Sequence, residues 1–303
     1  MEMSLILLNQ VTVVFILIVL GYILTKFKML NDVTVRKLSE ILLMIVTPSI
    51  VINAFQKEFE VRILKNLIIA AGLAVVVHLI GIIASYIFLK KDEKGSYKVS
   101  RFSVVYSNCG YMGLPLLSAV LGSDGVFYGS AYVVVFTVLS WTQGVYTYTG
   151  DKKQLSLKKT ILNPGVLGTL IGLFMFFINF RLPSVISQAV VHMANMNTPL
   201  AMLILGKYMT EVDFKKILKN FEIYKISLLK LIFIPAVFLV ILKFINIDDT
   251  VAKAILISAS CPVATAATLF ANRYESDARF ASEVVAITTL FSVITIPLVV
   301  LFL

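Results

Sequence analysis

The chain has 303 residues, of which 59% are hydrophobic and only 15% charged, with a mean hydropathy of +0.93. A soluble domain of this length cannot keep so much apolar surface out of water, so the composition excludes one and points to a chain solvated by lipid. The net charge of +10 sits in short segments between apolar runs. That distribution suits anionic lipid headgroups, and no nucleic-acid partner is expected.

Ten apolar runs follow one another, near 5–25, 34–55, 66–89, 101–120, 126–148, 161–180, 184–206, 221–244, 252–271 and 281–302. Each is about 20 residues long, enough to cross a ~30 Å hydrocarbon core at ~1.5 Å per residue. Strands of ~10 alternating residues, the mark of an outer-membrane barrel, do not occur, so an all-α membrane protein is expected. The first run, from Leu5 to Lys26, lacks a basic start and a small-residue cleavage site and reads as a retained helix. Cys109 and Cys261 both fall inside spans, so they do not form a secreted disulfide framework.

Twenty of the 27 basic residues fall in loops on one side, including Lys26, Arg36, Lys90, Lys152, Lys207 and Arg273. Six fall on the other side, and Lys230 lies inside the eighth span. This bias predicts the cytoplasmic membrane, with the basic loops inside and both termini outside.

An internal repeat is visible. Thr47-Pro48 in the second span recurs as Thr198-Pro199 in the seventh, and Cys109 in the fourth as Cys261 in the ninth. The offsets are 151 and 152 residues, so spans 1–5 (residues 1–150) and spans 6–10 (residues 161–303) form two halves. Five is odd, so the halves enter the membrane in opposite directions. A short cytoplasmic linker at 151–160 joins them.

Small and polar residues interrupt the fourth span over Ser107–Pro115 and the ninth over Ser258–Ala266. Unwound backbone in lipid costs several kcal/mol per unpaired group, so it persists only inside protein or beside a watery cavity. A proline alone merely kinks a span. Here Asn108, Gly110 and Gly113 accompany Pro115, while Ser258, Ser260 and Thr265 accompany Pro262. Matching interruptions in inverted halves are the best sequence pointer to a transporter's binding site, and the freed half-helix N-termini suit an anion. Helices 4 and 9 are therefore expected to be broken and to cross.

The chain resembles the auxin efflux carrier family. The resemblance is carried by Asn108–Pro115, by Asn163-Pro164-Gly165, and by Thr198–Gly206. Further matches are Cys261–Thr268 with Tyr274, and Thr288-Thr289 with Ser292 and Ile296-Pro297. It implies a scaffold of spans 1, 2, 6 and 7, a mobile transport unit of spans 3–5 and 8–10, elevator-type movement, and a homodimer through the scaffold. The family's substrates are organic anions, auxin-like monocarboxylates or dicarboxylates such as malate. The long hydrophilic loop of the plant exporters is missing here.

Asn108 leads the substrate-binding candidates, because its amide donates two hydrogen bonds without bringing a charge into the membrane. The resemblance implies that its counterpart contacts the substrate carboxylate. Gly110, Pro115, Ser260, Pro262 and Thr265 belong to the same broken segments, and Ser49, Asn195, Asn197 and Thr198 flank the Thr-Pro pairs. Serine and threonine also back-bond at proline kinks, which is the competing role for Thr47 and Ser49. Lys230 either snorkels to the cytoplasmic surface or serves an anion or a proton, and His192 is a second candidate for coupling. His78 and His192 otherwise read as buried, satisfied histidines without metal-ligand spacing, and Trp141 as a lipid-facing or interfacial residue.

No metal or cofactor is expected. With no Gly-x-x-x-x-Gly-Lys-Ser/Thr stretch the chain cannot hydrolyse ATP, and no span supplies a hydrolytic constellation, so an enzyme is not expected. The reading is a secondary transporter of a small organic anion, operating in efflux. A proton- or sodium-coupled carrier of the same fold would place acidic residues in the broken segments, which hold none. A channel or sensor remains the other alternative.

Overall fold

The computed structural model describes residues 2–91, 96–151, 153, 162–210 and 220–302. Most of the expected linker at 151–160 lies outside the described residues, as do Lys94, Lys152, Lys158, Lys159, Lys215, Lys216 and Lys219 of the basic loops. Among the described residues every regular element is a helix, save for one isolated antiparallel bridge between Ser107 and Val263. Five stretches are long and apolar enough to cross a membrane: Val61–Phe88, Cys109–Thr149, Ser184–Met209, Phe221–Lys243 and Ala278–Val299. Thr12–Lys26 and Pro164–Phe177 are shorter apolar helices.

In chain order the helices are α1 (Glu2–Lys26), α2 (Asp32–Ile41), α3 (Thr47–Ala54), α4 (Val61–Phe88) and α5 (Ser96–Val105). They continue as α6 (Leu114–Leu139), α7 (Val145–Thr149), α8 (Pro164–Phe177), α9 (Ser184–Asn195) and α10 (Asn197–Met209). The last five are α11 (Phe221–Leu228), α12 (Ile234–Lys243), α13 (Asp249–Ser260), α14 (Ala266–Arg273) and α15 (Ala278–Val300). Side-chain caps start several of them. Asn31 Oδ1 accepts the Thr34 N–H at 2.9 Å, Asp248 that of Thr250 at 2.9 Å, and Asp277 that of Phe280 at 2.8 Å.

Among the described residues four π-helical turns widen this path: Leu42–Val46, Cys109–Gly113, Ser140–Gly144 and Leu229–Phe233. Three run directly into a helix with proline at its second residue, Pro48, Pro115 and Pro235. Proline donates no N–H and crowds the carbonyl one turn back, so the ladder must shift register there, and a π turn is one way to do so. Gly122, at φ 63 and ψ −150, interrupts α6 in a backbone region that only glycine adopts freely.

Two sets of close packings build the core, and they meet where α6 touches α1, α3 and α8 and where α15 touches α1. In the first, α1 lies on α10, and α3 lies on α8 and α9. Glycines permit the close approach. A Cβ on Gly206 would stand 2.2 Å from the Ile18 carbonyl oxygen, and one on Gly168 would stand 2.9 Å from Pro48 Cα. In the second group, α6 packs on α4 and α13, and α15 packs on α13, α14 and α11. At one end of the molecule Phe55, Phe127 and Phe176 form a ring cluster beside the Lys57–Asp124 ion pair, which ties the α3–α4 loop to α6.

Candidate functional site

The two interrupted segments meet. After α5 the chain leaves helical geometry through Tyr106, Ser107 and Asn108, and after α13 it does so from Cys261 to Ala264. The Asn108 N–H donates to the Pro262 carbonyl at 2.7 Å, and the Ala264 N–H donates to the Tyr106 carbonyl at 3.0 Å. The polar backbone freed by each break is thus satisfied by the other, which is how unwound chain survives in an apolar interior. Ser107 adds a side-chain link, donating from Oγ to the Ala259 carbonyl at 3.3 Å. On the far side, Thr288 Oγ1 accepts the Val263 N–H at 3.2 Å.

A cavity of about 590 Å³ opens against this junction. Its inner wall is Ser107, Asn108, Cys109, Gly110 and Tyr111 from one break and Ala264, Thr265 and Ala266 from the other. The N-terminal turns that follow both breaks, Cys109–Gly113 and the first turn of α14, therefore begin at the cavity. The first N–H groups of a helix have no partner within it, and they favour negative charge. Asn108 is 2% exposed, and its Nδ2 is buried with no hydrogen-bond partner. An unpaired buried amide costs about 1–3 kcal/mol, so this donor is poised for a ligand acceptor.

The side walls are apolar and aromatic: Leu43, Met44, Val133, Phe136, Trp141, Leu269 and Phe270. At the mouth stand Asp32, Arg36, Glu40, Asn163 and Lys207. Here Lys207 pairs with Asp32, and Glu40 with Arg36 and Lys37. The Lys207 ammonium beside Asp32 holds its carboxyl below the usual carboxylate range.

Of the residues singled out in the sequence, Asn108, Gly110 and Thr265 line the cavity. Pro262 shapes it through its carbonyl, which holds the Asn108 N–H. Pro115 is buried in the first turn of α6, and Ser260 Oγ donates back to the Leu256 carbonyl at 2.7 Å. Ser49 Oγ likewise donates to the Ile45 carbonyl at 2.8 Å, the back-bonding role weighed for it. Asn195, Asn197 and Thr198 lie at the α9–α10 kink and do not line the cavity. Asn197 is 1% exposed with neither side-chain atom hydrogen-bonded, while Asn195 is exposed.

Two expectations are corrected, for Trp141 and His192, and one of the two alternatives for Lys230 drops out. Trp141 is not on the lipid face: it lines the cavity, because the π turn Ser140–Gly144 turns it inward. His192 is exposed rather than buried, since the kink at Met196 leaves α9 at the surface. Lys230 does not snorkel. It is fully buried, its Nζ donating to Ser107 Oγ at 2.6 Å. His78 is buried as expected, with Nδ1 2.7 Å from the Ala74 carbonyl oxygen and Nε2 unpartnered.

Sequence reasoning missed Lys207 as a cavity residue, having counted it with the loop lysines, and it missed Phe136 and Phe270. A usable signal existed for Trp141. Ser140-Trp-Thr-Gln-Gly144 is a polar run inside a span, the same feature that exposed the two breaks.

The matches with known proteins agree with this geometry. The chain matches the family described as membrane transport protein over residues 6–156 and 152–300. It belongs to that auxin efflux carrier-type transport family. An uncharacterized transporter of Methanocaldococcus jannaschii is 26% identical over 306 residues, covering 96% of each chain. An uncharacterized transporter of Methanothermobacter thermautotrophicus is 21% identical over 298 residues, covering 94% of each. The chain is thus a helical membrane protein of a transporter family, and both of these relatives are named as transporters.

Proposed function

We propose that the chain is a secondary carrier for a small organic anion, held with its carboxylate at the junction of the two breaks and its apolar body against Phe136, Trp141 and Phe270. Asn108 carries this reading: it is a buried amide donor without a protein partner, on the wall of a 590 Å³ cavity, beside two helix N-terminal turns. The apolar and aromatic part of the lining suits the body of a monocarboxylate, while a second carboxylate would find the cations Arg36 and Lys207 only at the mouth, where each already has a carboxylate partner. Thr265 and Gly110 complete the cradle.

The carrier is read as ten spans in two inverted halves, residues 1–150 and 161–303. Scaffold spans 1, 2, 6 and 7 would hold a transport unit of spans 3–5 and 8–10 that moves as an elevator. The closest packings, α1 on α10 and α3 on α8 and α9, fall inside the proposed scaffold, while α6 and α15 of the proposed transport unit lie against α1, and α6 also against α3 and α8. The recurrence of the break at an offset of 152 residues supports the repeat. With the basic loops read as cytoplasmic, the cavity mouth with Arg36 and Lys207 would open to the cell interior, a position from which an anion can load for the efflux proposed here across the cytoplasmic membrane. Both termini then lie outside, and the scaffold is the homodimer face.

A thermal-shift series of mono- and dicarboxylates on purified protein tests the site. Aromatic monocarboxylates should stabilise the protein, and Asn108→Ala should weaken the best of them roughly tenfold or more, the scale of a lost hydrogen bond to a charged group. Unchanged binding in the variant would sink the assignment.

A further inference from the structure

Lys230 plays no part in the cavity wall, yet it is the most deeply buried charge-bearing group described in the chain, at 0% exposure. Besides Ser107 Oγ at 2.6 Å, its Nζ donates to the Val105 carbonyl at 3.4 Å. Val105 is the last residue of α5. Ser107 in turn donates to the carbonyl of Ala259, in the last turn of α13. The ammonium therefore stands where the C-terminal ends of both broken helices converge. Each such end carries about half a negative charge in its unpaired carbonyls, so two together offset roughly one cation without any carboxylate.

The groups around it fit that account. The titratable neighbours are His78 from α4, Cys109 and Cys261 from the breaks, and Tyr132 from α6, whose hydroxyl lies 3.1 Å from Ser107 Oγ. None is a carboxylate. The elements packed against it carry Glu222, Lys225, Lys243, Lys98, Arg101, Asp249, Lys253, Arg279 and Glu283; of these, Glu283 pairs with Arg279, Arg101 holds the Leu89 carbonyl and Asp249 pairs with Lys253. Lys230 has no carboxylate partner among the described residues. Ser107 faces the cavity as well as the lysine, and Asn108 is the next residue. A cation at the helix C-termini and an anion at the N-termini thus lie on opposite sides of one junction.

We propose that Lys230 is a built-in counter-ion. Its tethered ammonium supplies the charge that ion-coupled carriers draw from solution, so the chain moves its anion with no sodium and no proton travelling alongside. This rests on the anion reading of the cavity. The loaded transport unit then pairs one anion with one fixed cation and crosses without net charge. The empty unit keeps the lysine's charge, so the membrane potential acts on its return. Exchange of anion for anion is insensitive to potential, while net flux responds to it.

The test uses the full chain in proteoliposomes, with radiolabelled indole-3-acetate and benzoate as probes. Wild-type exchange should run equally in sodium and choline buffers, without a pH gradient and at any imposed potential, whereas net flux should follow the potential. Lys230→Met should slow exchange roughly a hundredfold, the scale of removing one partner of a buried charge pair, while Lys230→Arg retains most of it. A sodium or proton requirement in the wild type, or Lys230→Met exchanging at the wild-type rate, overturns the counter-ion. Should Lys230→Met fail to fold, Lys230→Arg and the wild-type ion dependence still decide. Failure of the wild type to exchange either probe, or any carboxylate of the thermal-shift series, overturns the anion reading itself.

Discussion

Gly206→Ala puts the close approach of α1 and α10 to a quantitative test. A Cβ there would stand 2.2 Å from the Ile18 carbonyl oxygen, 2.6 Å from Tyr22 N and 2.7 Å from Gly21 Cα. All three are backbone atoms, so no rotamer change relieves the clash. Ordinary contact begins at 3.4 Å, so the helices must part by at least 1.2 Å at the Ile18 carbonyl. In a close-packed interior, overpacking of this kind costs about 1–3 kcal/mol, and parting the helices also forfeits the dispersion contacts that hold membrane helices together. At about 2–4 °C per kcal/mol for a chain of this size, Tm should fall by roughly 2–12 °C. Thermal unfolding of detergent-purified protein measures it. Gly72→Ala is the control, since a Cβ at Gly72 meets nothing within 4 Å. A Gly206→Ala protein melting within about 1 °C of wild type would refute the packing of these two helices.

Gly110 lines the cavity, and a Cβ there also meets nothing within 4 Å. Gly110→Leu should therefore fill the site without unfolding the protein. Tm should stay within roughly 2 °C of wild type while carboxylate binding disappears, and retained binding would remove Gly110 from the site. Trp141→Ala should weaken aromatic monocarboxylates about fivefold, from ~1 kcal/mol of ring contact, and leave small aliphatic acids nearly unchanged in the same thermal-shift series. Equal losses for both classes would assign the indole a structural role.

The features legible in the sequence were those where a local rule is broken. Asn108 and Gly110 in an apolar run, and Ser260 and Pro262 in another, mark the neighbourhood of two breaks, and the structure pairs the broken stretches at 106–108 and 261–264 directly. Side-chain direction was not legible. Asn195, Asn197 and Thr198 share the polar character of Asn108, but the turn at Met196 carries them away from the cavity. Trp141 turns inward because a π turn changes the angular step between residues, and hydropathy is blind to that step. The eighth span announces a buried lysine, yet its destination depends on Val105 and Ser107, more than 120 residues earlier. Lys207 looked like a loop residue because it ends α10, whereas the pairing with Asp32 draws it into the cavity mouth.

Counterflow most directly tests the central claim that this chain carries an organic anion through the cavity at the junction of its two breaks. Proteoliposomes preloaded with unlabelled aromatic monocarboxylate are diluted into trace labelled acid. The account predicts a transient overshoot of label that saturates with substrate and falls sharply in Asn108→Ala. Flux that rises linearly with concentration, without overshoot, would contradict it and point to a channel.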